Sequence, residues 1–199
     1  MSKGELTHQA ILDHSVSLAS TVGLDGVTIG RLAEDLTLSK SGLFAHFGSK
    51  ESLQIQTLER AASLFTDLVV RPALRAPRGE PRVRAIFQQW MDWPKRSGMP
   101  GGCLFVAAAA ELDDQPGAVR GYLVAQQRQW LELIAGVVDG AVAEGHFRAG
   151  LEGAQFAQDL YGVMLSCFLM HRLLNDPESG RRAHAAFETL VRAARAPNA

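Results

Sequence analysis

A chain of 199 residues, 47% hydrophobic and 21% charged, can bury one sizeable core or a small head joined to a larger body, and its composition excludes global disorder. Its net charge of −1 excludes no class of partner, because a nucleic-acid-binding protein can gather its positive groups on one face. The longest dense apolar run, 160–170, is shorter than the about 18 to 20 residues that span a bilayer, and the first residues lack the apolar core of a secretory signal. We therefore expect a cytoplasmic protein with no membrane partner.

Helical patterns fill almost the whole chain, and no segment has the sustained polar and apolar alternation of a strand. A first helix is predicted from Thr7, a suitable N-cap, to about Val22, with Gly23 ending it. Thr28 is a suitable N-cap for a second helix. The apolar residues of this second helix recur at the spacing of one buried face: Ile29, Leu32, Ala33 and Leu36.

The next stretch, SKSGLFAHFGSKESL at 39–53, starts two helices within eleven residues. Ser39 can cap a third helix, Gly48 stops it, and Ser49 can cap a fourth. A helix of about two turns has little stability of its own and must be fixed by packing. The residues expected to fix it are Leu38, Leu43 and Phe47.

The fourth helix should end near Arg71, because Pro72 disfavours helix in the residue before it. Five prolines lie between 72 and 100 and predict short helices and loops there. Long helices are then predicted at about 117–144, 153–174 and 178–195.

The helix predicted at 153–174 is apolar on more than one face, so it is either central to a core or shared with a second subunit. We favour the second possibility, in which two copies of the chain pair through this helix and the last helix. The apolar stripes that would form this dimer interface are Phe156, Leu160, Val163 and Cys167 on one helix and Phe187, Leu190, Val191 and Ala194 on the other.

Two helices joined by a tight turn, the second short and exposed, describe a helix-turn-helix, whose second helix enters the major groove of DNA. The stretch 28–53, TIGRLAEDLTLSKSGLFAHFGSKESL, resembles the N-terminal signature of the TetR family of bacterial transcriptional regulators. The shared pattern is T-x-x-x-[IL]-A, then S-x-x-x-[LI]-[YF]-x-H-F, then x-S-K-E-x-L, and the resemblance covers about residues 6–60.

The resemblance implies an all-α protein in which residues 1–50 form a three-helix DNA-binding head, with the helix-turn-helix at about 28–47, and residues 51–199 form a helical effector-binding and dimerisation body. It implies a ligand-responsive repressor, without cofactor or metal. Such a repressor binds a near-palindromic double-stranded DNA operator as a homodimer and is released by a small apolar or amphipathic effector of unknown identity. A homodimer would hold its two recognition helices about 34 to 36 Å apart, or a multiple of that distance.

The side chains of this signature have the chemistry that DNA contacts require. Lysine can reach guanine acceptors, serine a base edge or a phosphate, and an aromatic ring a thymine methyl or a sugar. Glycine lets the backbone approach closely, and a lysine at the start of the fourth helix resembles the family's phosphate anchor. The predicted DNA-binding residues are Thr28, Arg31, Ser39, Lys40, Ser41, Gly42, Phe44, His46 and Lys50.

Three residues depart from the family pattern. Phe44 replaces the commoner tyrosine and loses its hydroxyl, and Gly30 replaces a longer polar or basic side chain. Thr37 occupies a turn position usually held by glycine, which predicts a strained or altered turn. Phe44 has the alternative of belonging to the core.

Large adaptable side chains in the body are candidates for an effector pocket. They are Phe87, Trp90, Met91, Trp93, Cys103, Phe105, Trp130, Tyr161, Met164, Phe168 and His171. The stretch GGCLFVAAAAEL resembles a segment of some family members, and its Cys103 is either a thiol sensor or, as we favour, an inert buried cysteine.

An enzyme is not indicated, because the sequence has no G-x-S-x-G elbow, H-E-x-x-H, phosphate-binding glycine loop or Cys/His cluster. The acids Glu111, Asp113 and Asp114 are interpreted as solvated residues near a helix end. The remaining alternative is a helical dimeric interaction protein without specific DNA binding. The four histidines outside the signature and the pocket set are expected at the solvated surface: His8, His14, His146 and His184.

Overall fold

The computed structural model describes residues 3–197, with side chains from His8 onward. Its described part is helical, and its only β-type pairing there is an isolated bridge between Phe147 and Arg195. The predicted all-α class is confirmed. The helices are α1 Lys3–Val22, α2 Ile29–Asp35, α3 Lys40–Phe47, α4 Lys50–Phe65, α5 Arg71–Leu74, α6 Glu80–Arg96, α7 Leu104–Leu112, α8 Ala118–Ala143, α9 Gly153–Arg172 and α10 Ser179–Ala194, with a π-helical segment at Thr66–Val70.

The first helices begin and end close to where the sequence predicts. Thr28 and Ser39 cap α2 and α3, and the Ser49 hydroxyl accepts a hydrogen bond from the Ser52 N–H at 3.0 Å at the start of α4. Gly23 follows α1 with φ +82, a conformation that glycine adopts without strain. The start of α1 is the exception, since the helix begins at Lys3 rather than at the predicted Thr7, whose side chain lies outside the described ones.

The proline-rich stretch is more helical than predicted. The helical backbone continues from α4 through the π-helical segment into α5, which extends past Arg71 and has Pro72 in its first turn. Helix α6 has 17 residues, with Pro81 in its first turn and Pro94 in its last. Proline is tolerated in a first turn, where its missing N–H has no partner to lose, and near a helix end it disturbs few hydrogen bonds. The prediction of short helices and loops across this stretch is therefore confirmed for α5 and the loops at 75–79 and 97–103, and wrong for α6.

The described chain divides into two compact units. The first unit is the chain up to Phe65 together with Pro94–Gln126. Within it α1 packs on α4 and α7, while α3 packs on α2 and α4. Its core holds a polar pair, because the hydroxyls of Ser15 and Thr57 are buried and lie 2.6 Å apart. The apolar core includes Val16, Leu24, Leu32, Leu53 and Leu58.

The second unit comprises Thr66–Trp93 and the chain from Gln127 onward. Helix α9 packs along α10. The rings of Phe87 and Phe187 stack with centroids 4.1 Å apart, and both side chains are buried. Apolar packing of this kind fixes α6 against α10.

A cluster of paired charges lies at the surface of the second unit. The Glu80 carboxylate accepts two hydrogen bonds from Arg195, at 2.7 and 2.9 Å, and another from Arg84 at 2.7 Å. Arg84 also donates to both oxygens of Glu188. These contacts hold the pKa of Glu80 at about 2, with the hydrogen bond from Arg195 as the largest cause.

Candidate nucleic-acid interface

The short helix α3 is closed at both ends by local signals. The Ser39 side chain accepts a hydrogen bond from the Gly42 N–H at 3.1 Å, and Gly48 ends the helix with φ +72. Packing fixes the helix, because Leu43 and Phe47 are buried in the first unit. The predicted short helix between two turns is confirmed.

The opposite side of α3 is open to solvent. Phe44 is 56% exposed, although large aromatic side chains usually bury most of their surface. Lys40, Ser41 and His46 are exposed with it. This exposure does not support the alternative in which Phe44 belongs to the core. An ammonium, a hydroxyl, an imidazole and an aromatic ring on one exposed helix provide the donors and the apolar contact that a major groove can accept.

Two residues near α3 differ from their predicted roles. Leu38 is 42% exposed, so the prediction that it helps to fix the helix is wrong. At Gly42, an added Cβ would lie 2.9 Å from the Ser39 hydroxyl oxygen. The absence of a side chain there therefore protects the N-cap, in addition to leaving the backbone accessible.

Helix α2 begins with a similar cap. The Thr28 hydroxyl accepts a hydrogen bond from the Arg31 N–H at 3.1 Å. The Arg31 side chain is exposed, and no ion pair to it occurs in the described part of the chain. A Cβ added to Gly30 would lie 3.7 Å from Lys40 Cε, so the missing side chain leaves room beside this lysine.

The turn between α2 and α3 is altered in the way that its sequence predicts. Thr37 has φ 54, the left-handed conformation that glycine adopts at low cost and a β-branched residue adopts rarely. The Thr37 N–H donates to Glu34 O and the Leu38 N–H to Ala33 O, which closes the end of α2. Backbone hydrogen bonds thus hold the strained residue in place.

Both lysines of the predicted site lie near acids in the isolated protein. Lys50 Nζ lies 2.6 Å from Asp25 Oδ1, and Lys40 Nζ lies 4.0 Å from Glu34 Oε1. The four side chains are largely exposed, so these pairs contribute little to stability. An exposed ion pair of this kind can exchange its carboxylate for a phosphate at little cost.

A small aromatic cluster lies under the C-terminal end of α3. The His8 ring stacks on Phe47 at 5.1 Å, lies 5.6 Å from the His46 ring, and its Nε2 lies 3.1 Å from Gln56 Oε1. His8 is therefore a packed residue that joins α1 to α3 and α4, and the prediction of a solvated side chain is wrong.

The other three histidines that we expected at the surface differ in their contacts. His146 is half-buried, and its Nδ1 accepts a hydrogen bond from the Glu80 N–H at 3.2 Å, so the prediction of a solvated residue is wrong here too. His14 lies 3.3 Å from an oxygen of Asp35. His184 is exposed, as predicted, and its ring meets Phe87 edge-on.

The residues predicted to contact an effector belong to both units. In the first unit Cys103 and Phe105 are buried, and the Phe105 ring meets Phe65 edge-on at 6.1 Å. In the second unit the Tyr161 hydroxyl donates to Gln127 at 2.7 Å. The remaining members of the set also lie in the second unit: Phe87, Trp90, Trp93, Trp130 and Met164 are buried, Met91 and Phe168 are half-buried, and His171 is exposed.

The residues predicted at a dimer interface divide into two groups. Five of them are buried within the second unit of a single chain: Phe156, Leu160, Phe187, Val191 and Ala194. A side chain already buried in its own chain has almost no surface left to bury against a second copy. The other three, Val163, Cys167 and Leu190, are partly accessible and line a groove of about 720 Å³ between α9 and α10. Burial raises the pKa of the Cys167 thiol.

Helix α9 has a second apolar side that the predicted stripe did not include. Leu169 is 49% exposed, and Leu173, directly after the last residue of the helix, is 69% exposed. We call the exposed apolar residues Leu165, Leu169, Met170, Leu173 and Leu174 the α9 apolar face.

Two contacts in the first unit join α1 and the turn after it to the segment that contains α7. The Gly101 N–H donates to the Ser20 hydroxyl at 3.0 Å, and Glu111 accepts hydrogen bonds from the N–H groups of Leu24 and Asp25. The interpretation of Glu111 as solvated is therefore wrong. The only signal in the sequence was the segment GGCLFVAAAAEL, which contains both Gly101 and Glu111.

No group of three or more potential metal ligands occurs among the residues that the structure describes. Across the same residues, no helix is both long and apolar enough to cross a membrane.

Two models of known protein families match this chain, one in its N-terminal part and one in its C-terminal part. Residues 11–56, which contain α2 and α3, match the model of the bacterial regulatory proteins of the tetR family. Residues 79–187 match the model of the tetracyclin repressor-like C-terminal domain. The HTH-type transcriptional repressor NemR of Escherichia coli is 22% identical over 187 residues, which cover 93% of this chain and 94% of that one. The biofilm operon regulator IcaR of Staphylococcus epidermidis is 28% identical over 61 residues, and the chain spans 33% of its length.

Solved structures share the fold. A TetR transcriptional regulator from Chloroflexus aurantiacus has a TM-score of 0.84 at 23% identity, covering 96% of each chain. AibR, solved in complex with isovaleryl coenzyme A and operator DNA, has a TM-score of 0.70 at 17% identity, covering 92% of this chain and 95% of that one. Since one family model matches more than half of the chain and a second matches its helix-turn-helix, the chain belongs to the TetR family of bacterial regulatory proteins and is a DNA-binding transcriptional regulator.

Proposed function

We propose that this chain is a ligand-responsive repressor that binds a near-palindromic operator as a homodimer in the cytoplasm and leaves it when a small effector binds. In this proposal residues 1–50 supply the DNA contacts, and residues 51–199 supply effector binding and dimerisation. The observation that carries the DNA-binding role is the exposed face of α3, in which a capped helix presents Lys40, Ser41 and Phe44 to solvent.

Two lysines have different roles in the proposed complex. Lys40 lies in the first turn of α3, which enters the groove, so its ammonium reads base edges. Lys50 begins α4 and exchanges Asp25 for a phosphate, with the α4 N-terminus favouring the same anion. Base contacts set sequence preference, whereas phosphate contacts add affinity for any duplex.

DNA selection with the purified protein, followed by titration of the selected operator at several salt concentrations, tests this assignment. Affinity should fall steeply with rising salt, because bound phosphates release counterions. K40A should relax base preference, and K50A should weaken all sequences alike and reduce the salt slope by about 1. Equal behaviour of the two variants would contradict the division of roles, and a protein indifferent to every duplex would be the helical interaction protein of the alternative.

Dimerisation is supported by the α9 apolar face and the neighbouring groove between α9 and α10. Several exposed leucines on one helix end form the kind of patch that marks a protein interface. A second copy related by a two-fold axis would cover this patch with the same patch. Two recognition helices about 34 to 36 Å apart, or a multiple of that distance, would then fit one side of a duplex.

Sedimentation velocity of L169E tests the dimer, because a carboxylate on the α9 apolar face cannot be buried without a large cost. L169E should sediment as a monomer and lose operator affinity. Leu74→Glu is the matched control, since Leu74 is an exposed leucine of the same unit outside this face and its variant should remain dimeric. A dimeric L169E would exclude this interface.

Effector release rests on family membership and on AibR, whose structure contains both isovaleryl coenzyme A and operator DNA. The large apolar and sulfur-containing side chains of the predicted pocket set favour an apolar or amphipathic small molecule. An effector that couples to DNA binding by about 1 to 3 kcal/mol lowers operator affinity about 5- to 150-fold. Displacement of labelled operator by short-chain acyl-coenzyme A esters and by uncharged hydrophobic compounds tests this part. Compounds that bind without displacing DNA would contradict the induction mechanism.

A further inference from the structure

Glu111, near the end of α7, accepts hydrogen bonds from the backbone of the turn that connects α1 to α2. Its Oε1 accepts a hydrogen bond from the Leu24 N–H at 3.1 Å, and its Oε2 accepts one from the Asp25 N–H at 3.0 Å. Two backbone donors that point at one carboxylate require an acceptor on both oxygens. Hydrogen bonds to a charged acceptor are about twice as strong as those between neutral groups.

The turn has the shape that this contact needs. Gly23 has φ +82, and a Cβ added there would lie 2.6 Å from Glu111 Oε1. The missing side chain therefore makes room for the carboxylate as well as ending α1. From α4, the Gln54 side-chain amide donates to the Leu24 carbonyl oxygen at 3.1 Å. The backbone of the turn is thus held by one side chain from α4 and one from α7.

The same turn leads directly into the DNA-binding residues. Asp25, whose N–H is held by Glu111, pairs through its side chain with Lys50 at 2.6 Å. Thr28, which caps α2, follows three residues after Asp25. The position of the turn therefore sets both the start of α2 and the acid that pairs with the proposed phosphate anchor.

We propose that Glu111 is a positioning residue for operator binding. Its carboxylate holds the turn between α1 and α2 in the position that presents α2 and α3 to DNA, and a shift of α7 withdraws that support. This inference rests on the proposed operator binding. Glu111 belongs to the stretch matched by the C-terminal family model and the turn to the stretch matched by the N-terminal one, so the contact joins the two matched regions within a single unit.

The chemistry points to a substitution of equal size. In E111Q one oxygen remains an acceptor, while the amide nitrogen would turn its own donors toward a backbone N–H. One hydrogen bond is lost and two donors face each other, so operator affinity should fall on the order of tenfold. The slope of affinity against salt should stay as in the wild type, because Glu111 contacts no phosphate in this scheme. Asp114→Asn, an exposed acid two residues beyond α7, is the matched control and should bind operator like the wild type.

Hydrogen exchange provides a readout that is independent of DNA. The amides of Leu24 and Asp25 should exchange faster in E111Q, while the amide of Leu43 inside α3 should keep its protection. A double-mutant cycle sharpens the test, because G23A places a methyl group where the carboxylate lies. The effect of E111Q on operator affinity should largely disappear in the G23A background.

E111Q with wild-type operator affinity and unchanged exchange at Leu24 and Asp25 would overturn the proposal. If E111Q lost cooperative unfolding, G23A would carry the test, and normal operator affinity of G23A would then overturn the proposal. A wild-type protein that binds no selected DNA would refute the proposed function instead. Loss of operator binding in E111Q alone, with D114N unaffected, supports the positioning role.

Discussion

Two of the contacts that join distant segments of the first unit are hydrogen bonds donated by backbone N–H groups, whereas two that join distant segments of the second unit are a stacked ring pair and a charge pair. Ser20 meets Gly101 through a backbone N–H, and Glu111 accepts from two backbone N–H groups. In the second unit Phe87 stacks on Phe187, and Glu80 pairs with Arg195.

The difference bears on which region can respond to a signal. A hydrogen bond is lost over a displacement of a few tenths of an ångström or a modest change in angle, so a turn held by such bonds can be released by a small shift of its partner. Stacked and buried rings lose their contacts only when the core opens. The turn before the proposed DNA-binding residues is therefore more easily adjusted than the stacked pair of the second unit, as a regulated DNA-binding region requires.

The largest expected effect comes from removing the stacked pair. F187A should lower the free energy of unfolding by about 3 to 5 kcal/mol, because a buried aromatic ring is lost and a cavity remains beside Phe87. Urea denaturation measures this change. Arg192→Ala, an exposed change on the same helix, should stay within about 0.5 kcal/mol. A loss below about 1 kcal/mol in F187A would mean that this ring does not hold α10 in place.

A pair of glycine substitutions probes the close approach in the first unit. A Cβ added to Gly101 would overlap the Ser20 carbonyl group, so G101A should lose about 1 to 3 kcal/mol or more. Gly121 lies in α8 with open space around it, so G121A should gain about 0.5 to 1 kcal/mol from helix propensity. Thermal unfolding should move in opposite directions for the two variants. A stabilised G101A would exclude the tight contact.

The charge cluster of the second unit predicts a dependence on pH. The pKa of Glu80 is held at about 2, below its ordinary value of 4.5, so its contribution is fully present above pH 4.5 and is lost as the pH falls toward 2. The contribution is about 1 to 2 kcal/mol once solvent screening of a partly exposed group is included. E80Q should therefore be less stable than the wild type at pH 6, and the gap should close near pH 2 to 3. Urea denaturation at both pH values measures the gap, and a constant difference would contradict the assignment.

The smallest effect concerns the exposed pair at the proposed interface. D25N removes the acid that pairs with Lys50, so affinity for any duplex should rise about two- to fivefold, within the energy of a surface ion pair. Fluorescence anisotropy with operator and with random DNA measures this rise. The double variant D25N/K50A should bind like K50A. A D25N effect that survives removal of Lys50 would show that Asp25 acts in another way.

Local signals were sufficient for the helix-turn-helix. Ser39, Gly48 and Ser49 act through groups within three or four residues of themselves, so the short helix α3 and its caps were predictable from sequence. The strained turn at Thr37 was predictable in another way, because the family pattern usually has glycine at this position. The resemblance to the TetR family was recognisable from sequence because the family motif includes these capping residues.

Contacts between distant segments were not predictable in this way. Periodicity groups Phe187 and Leu190 on one face of a helix, but it does not tell whether that face meets its own chain or another copy. The fold buries Phe187 against Phe87 and leaves Leu190 in an open groove. From sequence alone Glu111 likewise resembles a solvated acid, and only the fold places the Leu24 N–H within hydrogen-bond distance of it.

The sequence by itself determined the helical class, the capped recognition helix and the family. The tertiary structure decided which apolar faces are buried and which acid supports the turn before α2. The physical reason is range, because caps and turns depend on neighbours along the chain, whereas burial depends on distant segments and the partners of Glu111 lie more than eighty positions away.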